Sequence, residues 1–156
     1  MTAVPVAVAR LPNHDPALAL PSAETVGAAG LDLRACLAGE DRRAGLALPT
    51  LGRVLVPTGI ALAIPEGFEG QIRPRAGLAA RHGVTVLNAP GTVDSDYRGE
   101  LRVLLVNLGT ETYWIGHGER IAQIVIAPVR RVELRPVDAL DATDRGAGGF
   151  GSTGRS

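Results

Sequence analysis

The stretch Glu119-Arg120-Ile121-Ala122-Gln123-Ile124-Val125 mixes polar and apolar side chains at short intervals, and it leads into an aliphatic run over 121–129. That pattern predicts a partly buried β-strand. Six further short runs rich in Val, Ile and Leu lie upstream, at 53–56, 59–64, 70–73, 84–87, 101–108 and 112–115. Twenty glycines and eleven prolines punctuate the chain and disfavour long helices. Many short strands between regular turn signals predict an all-β sandwich or barrel. One short helix is predicted, at 77–82, with Ala79 and Ala80 as good helix formers. Residues 10–21 read as an extended lead-in, and there is no internal repeat. The expected organisation is a β domain over 1–137, then a flexible hinge and glycine-rich tail over 138–156.

Composition narrows the class. A chain of 156 residues with 46% apolar content is expected to form one domain with a proper core. Aromatics make up only 3%, so aliphatic side chains must fill that core. Trp114 is assigned to packing, whereas Tyr97 and Phe150 sit in polar, glycine-flanked segments and read as functional. The formal net charge is zero, which argues against gripping nucleic acid by bulk electrostatics. All 16 basic residues are arginine, which excludes lysine Schiff-base chemistry. Cys36 is the single cysteine, so no internal disulfide can form and a reducing compartment is expected. No apolar run approaches the ~20 residues of a membrane span, and the N-terminus lacks a secretory pattern. A cytoplasmic protein with no membrane or nucleic-acid partner is expected. His14, His82 and His117 are scattered, with no His/Cys/Glu set at metal-ligand spacing.

Chemistry concentrates in a few segments. The tail Arg145-Gly146-Ala147-Gly148-Gly149-Phe150-Gly151-Ser152-Thr153-Gly154 holds five glycines, one aromatic, two hydroxyls and an arginine. Those are the parts needed to wrap an anion and cover a flat ring. No helix follows it, which sets it apart from P-loops and dinucleotide folds. Arg75 precedes the short helix, whose free N–H groups can meet phosphate. Residues 88–100 read as a hairpin with an amide at one end and an acidic, tyrosine-bearing cluster at the other. Gly118–Gln123 offers Arg and Gln at offset positions on a strand.

Together with Ala29-Gly30-Leu31-Asp32-Leu33-Arg34-Ala35, these make five ordered blocks. DSDYRGE at 94–100 and RGAGGFGSTG at 145–154 are the most specific. The set, running from about residue 22 to 154, closely resembles the trimeric dUTP diphosphatases (dUTPases). That resemblance implies a β jelly roll forming a homotrimer, each site built from three chains. The first, second and fourth blocks would come from one chain, the third from another, and the tail from the third. It implies hydrolysis of dUTP to dUMP and pyrophosphate, limiting uracil in DNA and supplying dUMP for dTMP synthesis. Mg²⁺ would be held by phosphate oxygens and waters, with no direct protein ligand.

Residue by residue, the resemblance makes Asp94 the base that orients and deprotonates the water attacking the α-phosphorus. Asn88 would bond the uracil edge, with the hairpin crowding C5. Tyr97 would pack beneath the deoxyribose and exclude a 2′-hydroxyl. Arg75, Gln123 and the amide of Gly77 would hold phosphates. Arg145 with Ser152 and Thr153 would clamp the outer phosphates while Phe150 stacks on uracil. Thr92 and Gly151 complete the implied binding set, and Asp32 would act on the metal's water shell or orient an arginine. The family's second block carries serine where this chain has Ala76. Either a donor to leaving-group charge is missing, or a helix N-cap worth about 1 kcal/mol is. Two rival functions keep the same fold: a dCTP deaminase, which needs a glutamate aimed at the base, and a nucleotide-binding regulatory module with little turnover.

Overall fold

The computed structural model of the protein describes residues 3–149. Among these, eleven strands and two short helices follow one another. The order is β1 (Ala7–Arg10), β2 (Leu31–Arg34), α1 (Asp41–Ala44), β3 (Leu46–Leu48), β4 (Arg53–Pro57), β5 (Ile60–Ala63) and β6 (Phe68–Arg73). Then come α2 (Ala76–His82), β7 (Val84–Val86), β8 (Gly91–Val93), β9 (Arg102–Asn107), β10 (Tyr113–Ile115) and β11 (Arg120–Pro128). All pairings are antiparallel. The two larger sheets run β2-β11-β6-β8 and β4-β9-β7, with the short pairs β1-β5 and β10-β3 beside them. This is the jelly-roll type of all-β fold that the sequence predicts.

The core is aliphatic, as the low aromatic content requires: Leu33, Leu48, Val56, Ile64, Leu105, Ile115, Ile121 and Ile124 are all essentially inaccessible. Asn107 is the large polar exception, and its side chain is fully engaged. Its amide donates to the carbonyls of Leu48 (2.9 Å) and Glu111 (2.8 Å), and its oxygen accepts from the Gly109 N–H (2.8 Å). A buried amide satisfied in this way ties the β9–β10 connection to β3, its hydrogen bonds offsetting the cost of burial.

Several expectations need correction. Trp114 is not packed within the chain; it is 59% exposed, because Ile115 takes the inward position of β10 and alternation turns its neighbour out. Residues 88–100 do not close on themselves as a hairpin. β7 pairs with β9 in one sheet while β8 pairs with β6 in the other, so the segment crosses between sheets. The lead-in is preceded by a strand, β1, lying along β5. The turn α1 had no apolar periodicity to announce it. Finally, α2 begins at Ala76, and its N-cap is Arg75, whose φ of −94° and ψ of 124° are extended. Residue 76 is therefore already inside the first turn, past the position from which a hydroxyl caps a helix. Its exit follows rule: Gly83 takes the left-handed φ of 68°, and its N–H bonds Ala79 and Leu78 carbonyls.

Candidate active site

The strand that opened the sequence reading also builds the site. Across β11–β2, Arg120 pairs with Arg34 but Ala122 with Leu33, so Ile121 is an extra, bulged residue. Strict alternation would turn Arg120 and Gln123, three apart, to opposite faces. The bulge resets the alternation: Ile121 and Ala122 are both buried, Arg120 bonds Asp32, and Gln123 pairs opposite Asp32 in the ladder. In the same row, Asp32 lies opposite Gln123, and Gln123 opposite Arg73.

Around that row lies a cleft of about 460 Å³ lined by Glu24, Ala28, Gly30, Asp32, Arg75, Ala76, Gly77, Arg81 and Gln123. It unites the first, second and fourth blocks. Asp32 is its organiser: Oδ1 accepts from Arg75 Nε at 3.1 Å and Oδ2 from Arg120 Nη1 at 3.0 Å. Arg75 Nη1 also donates to the Arg120 carbonyl at 3.2 Å, which fixes the guanidinium plane. Gln123 is held by its own bond, Nε2 to the Pro74 carbonyl at 3.0 Å. Residue 30 must be glycine for that placement, since a Cβ there would collide with the Gln123 amide (3.0 Å from Cδ). The first intrahelical bonds of α2 come from the N–H groups of Leu78 and Ala79 to Arg75, which leaves those of Ala76 and Gly77 outside the helical ladder. The cleft is thus rich in donors with anchored carbon frames, the requirement for an oxyanion chain.

The third block lines a different cleft, of about 540 Å³, which includes Ile72, Asn88, Gly91, Thr92, Asp94, Tyr97 and Glu100. Here the Tyr97 hydroxyl donates to the Glu100 carbonyl at 3.0 Å, fixing the ring beside the cleft. The Glu100 carboxylate ties three segments together. It accepts from Asn13 Nδ2 (3.0 Å), the Gly59 N–H (2.9 Å) and Arg102 Nε (3.1 Å). Burial by itself would raise the Glu100 pKa, but these hydrogen bonds outweigh it and hold the carboxyl below its ordinary value. Asp94 makes no side-chain bond among the described residues and faces solvent, free to accept from water.

The two clefts share no lining residue. Val93 pairs with Gly70, so Asp94 lies one step on, level with Glu69, while Gln123 is level with Arg73 two strands away. Strand geometry makes that about 14 Å along and about 10 Å across, or about 17 Å in all. Within one chain the two residues therefore sit in separate clefts. Arg145 reaches neither cleft; it closes its own turn, Nε to the Gly148 carbonyl at 2.8 Å. Phe150, Gly151, Ser152 and Thr153 lie outside the described residues. The sequence does not mark Arg81 or Glu24 as site residues; it offers Arg120 at an offset strand position, but not its bond to Asp32. Arg81 was concealed by its place in the last turn of a helix, and the pairing of Arg120 with Asp32 by the bulge.

One cleft carries fixed donors for anionic oxygens, the other an amide, a tyrosine and a free carboxylate; together they have the polarity of a nucleotide site. A family model described as dUTPase matches residues 17–154. The chain belongs to the dUTPase family. The deoxyuridine 5′-triphosphate nucleotidohydrolase of Dinoroseobacter shibae is 59% identical over 150 residues, covering 96% of this chain and 97% of its own length. That of Rhizobium etli is 59% identical over 145 residues, 93% of this chain and 90% of its own. Among solved structures, the Staphylococcus bacteriophage 80alpha dUTPase with dUpNHpp superposes with a TM-score of 0.82 at 23% identity, over 97% of this chain and 99% of that one. A mutant dUTPase from phage phi11 of S. aureus, solved with a coordinated structural Mg(II) ion, gives 0.74 at 21% identity, over 86% and 97%. These two likenesses carry the fold.

Proposed function

We propose that the protein hydrolyses dUTP to dUMP and pyrophosphate, in sites completed between the subunits of a homotrimer. The separation of Asp94 from Gln123 within one chain is the observation that carries this reading. One subunit supplies the phosphate cleft and a neighbour supplies the nucleoside cleft with its carboxylate. The exposed apolar surface supports assembly as well. Leu55 and Leu87 flank Leu104 on the outer face of β4-β9-β7, and Val132, Leu134, Val137 and Leu140 project from the chain after β11.

In the reaction, Asp94 accepts a proton from water as the water oxygen bonds the α-phosphorus. The bond from that phosphorus to the bridging oxygen breaks, and the electron pair leaves with pyrophosphate. Asp94 is a weak base in bulk water, so its efficacy comes from alignment and from closure of the site over the water. Arg75, Gln123 and the Gly77 amide hold the phosphate oxygens, with Arg75 kept in plane by Asp32. Asn88 reads the base edge, and the Tyr97 ring packs against the sugar. The tail, through Arg145, Phe150, Gly151, Ser152 and Thr153, closes over the nucleotide. Mg²⁺ suits this donor set as part of the substrate. Magnesium favours phosphate and water oxygens, and both Asp32 oxygens are already engaged by arginines. When bound, the ion neutralises phosphate charge. Ala76 lines the phosphate cleft, where the family's serine would donate to the leaving group.

The test is incubation with Mg²⁺ and each nucleotide. Pyrophosphate and dUMP from dUTP support the reading. Ammonia from dCTP would make the protein a deaminase, and dUTP binding without turnover would make it a binding module.

A further inference from the structure

The charged residues lining the phosphate cleft are Glu24, Asp32, Arg75 and Arg81; Arg120, not itself in the lining, also bonds both carboxylates. Arg75 and Arg120 face Asp32 and Glu24: Arg75 Nε is 3.1 Å from Asp32 Oδ1, and Arg120 Nη1 is 3.0 Å from Asp32 Oδ2 and 3.2 Å from Glu24 Oε1. With both carboxylates engaged by Arg75 and Arg120, Arg81 is the lining cation that makes no hydrogen bond or salt bridge among the described residues, its charge felt by the Tyr113 hydroxyl.

Its placement is unusual for its position. A basic residue in the last turn of a helix ordinarily complements the negative C-terminal end. Arg81 instead lies back along α2, as helical side chains lean toward the N-terminus. A Cβ built on Gly77 would fall 3.0 Å from its Nη2 and 3.4 Å from its Nη1, so the guanidinium covers the Gly77 backbone. On a helix of seven residues, that reach carries the charge to the opposite end. The five N–H donors of the group are thereby delivered beside Gly77 and Ala76.

We propose that Arg81 is a substrate-binding residue: it is the cleft's lining cation not committed to a carboxylate, and it donates to oxygens of the polyphosphate chain. Arg75 is bound in a network and works chiefly by geometry, whereas Arg81 draws the anion in and remains free to follow it. The proposal rests on the dUTP reading for its substrate. Glycine at 77 suits this placement, because a Cβ there would crowd the guanidinium by a few tenths of an ångström.

The test compares full-length wild type with Arg81→Gln and Arg81→Lys. KM and kcat for dUTP with Mg²⁺ are measured from about 20 to about 200 mM NaCl. Binding of inorganic tripolyphosphate is measured by calorimetry, and inhibition by deoxyuridine serves as a phosphate-free control. Arg81→Gln should raise KM and weaken tripolyphosphate binding about three- to tenfold, in the range of a partly exposed charged hydrogen bond. It should also flatten the salt dependence of kcat/KM while deoxyuridine inhibition holds. Arg81→Lys should keep the salt dependence and recover part of the affinity. Unchanged tripolyphosphate affinity and salt slope in Arg81→Gln would overturn the proposal. So would a parallel loss of deoxyuridine inhibition that lysine does not rescue, since that is the behaviour of a damaged fold. If wild type bound tripolyphosphate but left dUTP intact, the hydrolase reading would fail, and the polyphosphate measurement would still decide the role of Arg81.

Discussion

Ala76 is the residue at which structure separates two explanations that sequence left open. Arg75 occupies the cap position of α2, so a serine at 76 has no cap to restore and Ala76→Ser should leave the melting temperature nearly unchanged. Its side chain borders the phosphate cleft, where a hydroxyl would meet charge that develops only in the transition state. Loss of such a donor costs ~10²–10³ in rate when nothing replaces it, and a bridging water offsets part of that. Ala76→Ser is therefore expected to raise kcat about tenfold to a hundredfold with KM little moved; a gain in thermal stability without a rate change would revive the capping explanation. Glu100 makes a second prediction at this scale. Its carboxyl is held below its ordinary value despite burial, because Asn13, the Gly59 N–H and Arg102 bond the charged form. A depressed folded pKa stabilises the fold above the unfolded value and ceases to do so as pH falls through the folded one. Wild type should thus lose stability as pH drops below about 4.5. Glu100→Gln should be less stable at neutral pH, by about 1 kcal/mol, and should vary less over the acid window. Parallel pH–melting curves for the two proteins would show that Glu100 does not provide this coupling.

Elements show where sequence reading succeeds and where it stops. Seven aliphatic runs corresponded to strands because burial on at least one face leaves a compositional trace, as in Val103, Leu105 and Ile121. β1, whose four residues are all exposed, left none. The bulge at Ile121 was equally silent, since it depends on pairing with β2 rather than on any local preference. Yet that bulge brings Arg120 to the Asp32 carboxylate and sets Gln123 opposite Asp32 in the ladder. Partner choice hid the path of 88–100 in the same way: turn residues marked a reversal but could not say that β8 would join β6. The ordered blocks picked out Asp32, Arg75, Ala76, Gly77 and Gln123, which the fold gathers in one cleft, while Arg81 was hidden by helix geometry. At this scale the tail is also testable. Residues 129–149 hold no helix or strand, and Arg145 lies at neither cleft. Deleting residues 145–156 should leave the melting temperature nearly unaltered while turnover collapses, because closure over the phosphates is lost. A truncated protein with most of its activity would relegate the tail to a passive terminus.

For the molecule as a whole, the decisive fact is that one chain carries the parts of a nucleotide site in two separate clefts. Asp94 stands about 17 Å from Gln123 by strand geometry, just past the edge strand β8, and in the proposed trimer another subunit's Asp94 would serve the phosphate cleft. A composite site of this kind has a consequence no single-chain site shares. Asp94→Asn and Arg75→Ala should each abolish turnover alone, and every chain in a mixture of the two carries one lesion. In co-assembled trimers, a site that draws Asp94 from one variant and Arg75 from the other is intact. Random mixing of equal amounts gives about a quarter of all sites that composition. The measurement is dUTP hydrolysis by the co-expressed pair against each variant alone. Recovery of up to about a quarter of wild-type activity is the predicted result, and activity no greater than the sum of the separate variants would contradict a site shared between subunits.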